Sequence, residues 1–151
     1  MSDYDTDIAL WSEHQADLLR RRAAGQLVND AELDWPHIAE EIEGVNADLA
    51  GSLDSRIGTI VEHLMRLEAS PATDPRRGWK ETIIRSRRDI QRLLKRSPSL
   101  RHHIPAMLAG AIADARADTA AILALYDEQP AVDLSTLGYT DDQVLGDWFP
   151  P

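Results

Sequence analysis

The chain has 151 residues, 26 acidic side chains against 16 lysines and arginines, a net charge of −10 and no cysteine. It therefore forms no disulfide, thiolate nucleophile or thiolate metal site, and so acidic a chain is a poor general binder of nucleic acid, which needs clustered cations to neutralise phosphates. No apolar run reaches the roughly 18 residues that would span a bilayer, and the start "MSDYDTDIALW" lacks the basic and apolar regions of a signal peptide. The expectation is one cytoplasmic domain over residues 1–151, large enough to bury its own core.

Alternating β-branched runs are scarce, and alanine, leucine and arginine fill the long periodic segments, which predicts an all-α fold. The first helix should begin near Asp5 or Thr6, carry Ile8, Trp11, Gln15, Leu18 and Leu19 on one face, and end at Gly25 after Arg20, Arg21 and Arg22. The second should open at "DWPH", with Asp34 or Trp35 capping and Pro36 in the first turn. Its apolar stripe runs Ile38, Ile42, Val45, Leu49 and resumes as Leu53, Ile57, Ile60, Leu64, Leu67. A break is expected between Gly44 and Gly51, because Gly44, Gly51 and Gly58 each weaken a helix by about 1 kcal/mol relative to alanine.

A further helix should follow Asp74-Pro75 through Trp79, Ile83, Ile90 and Leu94, and Ser97 should cap the next one with Pro98 in its first turn. That last long helix uses Leu100, Ile104, Leu108, Ala111, Ala115, Thr119, Ile122 and Tyr126, with Pro105 kinking it or marking its true start. "TDDQ" at 140–143 reads as a capping box for a short terminal helix, and Trp148-Phe149 as an aromatic pair docking on the chain's own core. The sum is a helical bundle of four to five main helices plus a short C-terminal helix.

Charge is segregated along the chain. Residues 23–55 hold eight acids and no lysine or arginine, whereas residues 76–101 hold ten basic side chains against Glu81 and Asp89. The plainest expectation is that the basic block lies against the acidic one, the other reading being a surface for anions or nucleic acid.

The stretch "HIAEEIEGVNADL" crowds three glutamates into four positions. At about 100° per residue Glu40 and Glu43 point away from the Ile38, Ile42, Val45, Leu49 face, and only Glu41 borders it. The same arithmetic puts His63 beside the Ile60, Leu64, Leu67 stripe and Arg87 about 40° from Ile83. Glu41, His63 and Arg87, with Gln15 and Trp79, make a candidate polar cluster at a helix seam. A carboxylate beside an imidazole suits acid–base chemistry or metal ligation, and an arginine suits an anionic substrate. The same groups equally suit a structural network that fixes the packing register. No Glu-x-x-His pair of the kind di-iron bundles use occurs, nor H-E-x-x-H, a Walker loop, G-x-G-x-x-G or G-x-S-x-G, so no metal and no cofactor is expected.

The segments "YDTDIALWSEHQADLLR", "IAEEIEGV", "HLMRL", "GWKETIIRSRRDI", "LLKRSPSLR" and "YTDDQVLGDWFPP", in this order, resemble an uncharacterised bacterial family, domain of unknown function 29, over nearly the whole chain. The resemblance implies an all-helical protein of this length, with family positions at Tyr4, Asp7, Trp11, Gln15, Glu40, Glu41, Glu43, His63, Trp79 and Arg87. It implies no activity. Where many relatives have Cys-Pro before the tyrosine of "LGYT", this chain has Leu137-Gly138, so no role of that cysteine carries over.

The function expected from the sequence is a non-catalytic protein-interaction or assembly module, pairing with itself or another protein, with nucleic acid and membrane disfavoured as partners. The alternative is a small-ligand, metal or enzymatic site around Glu41, His63 and Arg87.

Overall fold

The computed structural model describes residues 3–151. Its helices are α1 (Asp3–Thr6), α2 (Ile8–Ala23), α3 (Trp35–Ala69), α4 (Arg76–Arg96), α5 (Ile104–Leu125) and α6 (Asp141–Leu145), with 3-10 turns at Asp30–Glu32, Pro98–His103 and Leu134–Thr136. Helix accounts for 77% of the described residues and no strand occurs among them, as an all-α fold requires. No helix among them is long and apolar enough to cross a membrane.

The chain divides into two compact units, one up to Ala47 and one from Asp48 onward. In the first, the expected single opening helix is two. The carboxylate of Asp7 accepts from the Leu10 amide at 3.0 Å and starts α2 two residues later than read from the sequence. Trp11, Gln15 and Leu18, at spacings of four and three, form its buried face, and Trp11, Leu18, Leu33 and Ile38 make a small core. Past the end of α2 the Gln26 amide reaches the Arg21 carbonyl, a closure that puts Gly25 at φ 77°, where a side chain would be strained.

The break expected between Gly44 and Gly51 does not occur: α3 is one helix of 35 residues, about 52 Å long. The reason is the stripe on its far side. Leu53, Ile57, Ile60, Leu64 and Leu67 are each 3% exposed or less, and burying one such side chain stabilises by about 1.5–3 kcal/mol, which outweighs the glycine penalties. The near half behaves differently. Ile38 is buried and Leu49 half-buried, but Ile42 (67% exposed) and Val45 (54%) are not covered, contrary to the expected continuous buried face. Glu41, expected to border the core, is exposed with Glu40 and Glu43.

In the second unit, α3 from Leu53 onward packs its stripe with Ile83, Ile90 and Leu94 of α4, Leu100, and Ile104, Leu108, Ala111 and Ala115 of α5. Ser97 does not cap through its side chain; its carbonyl instead accepts from the Leu100 amide, starting the 3-10 turn. The regular α-helix begins only at Ile104, with Pro105 in its first turn, so Pro105 marks the start rather than a kink. The capping box of α6 forms in both directions, Gln143 amide to Thr140 hydroxyl and Thr140 amide to Gln143 side chain. Trp148 and Phe149 pack on the main core, as the aromatic ending suggested. Gly146 ends α6 where a Cβ would fall 2.6 Å from the Asp142 carbonyl oxygen, so only glycine fits.

Candidate functional site

The five residues singled out from the sequence belong to different units and hold different partners. In the first unit, Gln15 is 6% exposed and clamps the turn before α3: its side-chain amide donates to the Glu32 carbonyl at 3.1 Å and its side-chain oxygen accepts from the Asp34 amide at 2.9 Å. Glu41 accepts a hydrogen bond from the Tyr4 hydroxyl at 2.7 Å, and this bond to the carboxylate pushes the Tyr4 phenol up to about 12.

Between these two lies a group that the sequence reading missed. The Asp34 carboxylate accepts from the Trp11 indole N–H at 3.2 Å and pairs with His37 Nδ1 at 2.7 Å. The Tyr4 ring stacks on the His37 ring, centroids 3.8 Å apart, and meets Trp11 edge-on at 4.9 Å. The His37 bond holds the Asp34 carboxyl below its ordinary range, and the Asp34 bond raises the imidazole above its own. The Asp-x-x-His spacing at a helix start was the available signal. The arrangement ties α1, α2 and the start of α3 together. As chemistry it is a carboxylate–imidazole pair whose neighbouring hydroxyl, on Tyr4, is made a weaker acid by Glu41, the opposite of an activated nucleophile.

In the second unit, His63 is half-buried with Nδ1 2.8 Å from the Thr59 carbonyl, to which it donates. Arg87 is 6% exposed and grips the C-terminal segment: Nε donates to the Val144 carbonyl at 2.9 Å, and Nη2 to the Gln143 and Trp148 carbonyls at 2.7 and 2.6 Å. The Phe149 ring covers its guanidinium at 4.9 Å, and burial lowers its pKa, opposed by Asp147. Two more side chains fasten the same segment. Arg116 donates to the Leu137 carbonyl, and Tyr139 donates to Glu68 at 2.6 Å. Trp79 is half-buried beside the main core. His63 and Arg87 share no bond, and among the described residues no three His, Asp or Glu side chains converge as metal ligands.

A further feature with a chemical bias is the exposed face of α4. Arg77, Lys80, Arg85, Arg88, Arg92, Lys95 and Arg96 are all exposed. What pairing there is comes mainly from the same helix, Arg85 with Glu81 and Arg92 with Asp89, the latter also facing Arg56. On the wheel Ile84, 48% exposed, stands amid Arg77, Lys80, Arg88 and Lys95, with Arg85, Arg92 and Arg96 along one flank. The uncovered stretch of α3 is its opposite in charge: Ile42 and Val45 stand between Glu41 and Glu43, with Glu40 and Asp48 also exposed.

No curated protein and no solved structure matches the chain. A family model described as a domain of unknown function, DUF29, matches residues 4–149, nearly the whole chain, and the protein therefore belongs to the DUF29 family.

Proposed function

We propose that the protein is a cytoplasmic helical assembly module without catalytic activity, and that its partner is a second copy of itself. The contact joins the acidic, apolar-centred stretch of α3 around Ile42 and Val45 to the basic, apolar-centred face of α4 around Ile84. The observation that carries this reading is the exposure of both faces, each with an aliphatic centre and charges mostly of one sign around it, Glu81 on the α4 face being paired with Arg85. Apolar centres with charged rims are the usual anatomy of an interface, and opposite rims steer the two faces together while repelling like faces. Single exposed ion pairs contribute little, about 0–1 kcal/mol each, so the buried aliphatic centre supplies much of the affinity and the rims supply the choice of partner. A two-fold dimer would seat the acidic face of each copy on the basic face of the other, whereas a single head-to-tail contact would close into a ring or grow along one direction.

Sedimentation velocity tests this. Assembly should appear at micromolar protein in low salt and weaken towards about 1 M salt, where the screening length falls to about 3 Å. Arg88→Glu with Lys95→Glu should abolish it, as should Glu41→Lys with Glu43→Lys, and mixing the two variants should restore association between them. A monomer at high micromolar concentration in low salt, or no recovery on mixing, defeats the proposal. Salt-dependent retention of a monomer on single-stranded RNA would transfer the basic face to a nucleic-acid role.

A further inference from the structure

Arg87 spends only part of its guanidinium on the C-terminal segment. The N–H on Nε and those on Nη2 go to the carbonyls of Val144, Gln143 and Trp148, while Nη1 makes no hydrogen bond among the described residues. Nor does an acidic side chain pair with it: Asp147 attracts the guanidinium through space, without a bond. Among the described residues the polar atoms sealed from solvent without a partner are Arg66 Nε and Thr119 Oγ1, and Arg87 Nη1 is not one of them. This buried side chain therefore brings unspent N–H groups to an open surface.

The surface is a pocket of about 530 Å³, within the roughly 300–1,000 Å³ usual for small-molecule sites. Ile84, Arg87, Arg88 and Gln91 line it from one face of α4, at the three- and four-residue spacing of neighbours on a helix. Asp147 and Phe149 line it from the C-terminal segment.

The wall restricts what the ligand is. Adjacent guanidiniums suit a carboxylate, whose oxygens take N–H groups in parallel pairs. Arg87 is already held by its carbonyls, so binding costs little further ordering of that side chain. Arg88 is exposed, and the ion pairs along this part of α4 fall to Arg85 and Arg92 instead. A bare anion would be opposed by Asp147, which is exposed and belongs to no ion pair among the described residues. An ammonium on the same ligand turns that repulsion into a second attachment. Ile84, 48% exposed, and the Phe149 ring add apolar surface beside the charges.

We infer that this pocket binds a zwitterionic amino acid with an apolar side chain, its carboxylate on Arg87 Nη1 and Arg88, its ammonium on Asp147 and its side chain on Ile84 and Phe149. Ile84 and Arg88 also belong to the basic face above, but the site does not rest on self-assembly. An occupied pocket would compete with it.

The test is a ¹H–¹⁵N NMR titration of the full chain carrying Glu41→Lys and Glu43→Lys, which leaves the α4 face uncovered whether or not the wild type assembles. The probes are L-phenylalanine, 3-phenylpropionate, which lacks the ammonium, and phenethylamine, which lacks the carboxylate. L-Phenylalanine should shift the Gly146 and Asp147 amides and the Arg87 Nε–H resonance saturably, at least tenfold more tightly than either comparison compound. Adding Asp147→Asn should weaken L-phenylalanine at least fivefold without weakening 3-phenylpropionate. Adding Arg88→Gln should weaken both carboxylates and leave phenethylamine unchanged. Both substitutions fall on exposed side chains, so the fold is kept. The inference is overturned if no saturable shift occurs up to the solubility limit, if the shifts fall away from the pocket, if either comparison compound binds as tightly as L-phenylalanine, or if Asp147→Asn leaves L-phenylalanine binding unchanged.

Discussion

Replacing Arg87 by lysine keeps the charge and most of the stem, and it should nevertheless release the end of the chain. The guanidinium reaches three main-chain carbonyls from two nitrogens, at 2.9, 2.7 and 2.6 Å, and stacks under the Phe149 ring. A lysine ammonium is a point donor at the end of a flexible stem and satisfies about one of the three, while its burial still carries the desolvation cost. A hydrogen bond to a charged group contributes about 1.5–3 kcal/mol, so losing two of them destabilises by about 3–6 kcal/mol. Against a typical total of about 5–15 kcal/mol for a domain, that is a large share. Urea unfolding measures the global loss. Hydrogen exchange locates it, and residues 139–149 should lose protection before the long helices do. A change below about 1 kcal/mol with the C-terminal segment still protected would refute this account of Arg87.

The uncovered glycines of α3 give the opposite sign: a Cβ added at Gly44 or Gly51 meets nothing within 4 Å, so Gly44→Ala and Gly51→Ala should each stabilise by up to about 1 kcal/mol in urea unfolding. Thr119→Val should raise stability by about 1–2 kcal/mol, because it removes an unpaired buried hydroxyl, and a loss instead would mean that the hydroxyl has a partner after all. The Asp34–His37 pair makes the first unit pH-sensitive. The imidazole is raised from 6.5, so its contribution is complete below that value and is lost as pH climbs through the folded value, whereas the carboxyl is lowered from 3.8, so its contribution is present above that value and is lost as pH falls through the folded one. Wild type minus His37→Gln, followed by hydrogen exchange in α1 and α2, should therefore differ most at about pH 5–6 and converge by about pH 9. The Tyr4 phenol, held up to about 12 by Glu41, should return towards 10.0 in Glu41→Gln in a spectrophotometric titration.

Elements were legible where one residue type dominates a local balance. Thr140 and Gln143 specify a cap within four residues, and Arg20–Arg22 followed by Gly25 specify a helix end, so both were readable without neighbours. The uninterrupted course of α3 was not, because the glycine cost is local while the stabilisation comes from α4 and α5 packing on Leu53, Ile57 and Ile60. A helical wheel says which way a side chain points but not what stands opposite. It placed Arg87 inward correctly, yet the carbonyls of Gln143, Val144 and Trp148 lie 56–61 residues further along and leave no trace in side-chain chemistry. The same limit explains Ile42 and Val45, whose spacing matches a buried stripe although both are more than half exposed. Asp34 and His37 were in reach, being three apart at a helix start, but were read only as cap and flank of Pro36.

Apart from the Phe149 ring, the grip of Arg87 on the C-terminal segment is made on peptide oxygens, which every residue type supplies. As far as this clasp is concerned, positions 143, 144 and 148 are free to drift in sequence so long as the backbone keeps its course. The demand falls instead on Arg87 itself and on Gly146, where the turn admits no Cβ. Two substitutions on a helix and a turn would then undo a fastening that a scan of the fastened residues, one side chain at a time, would pass over.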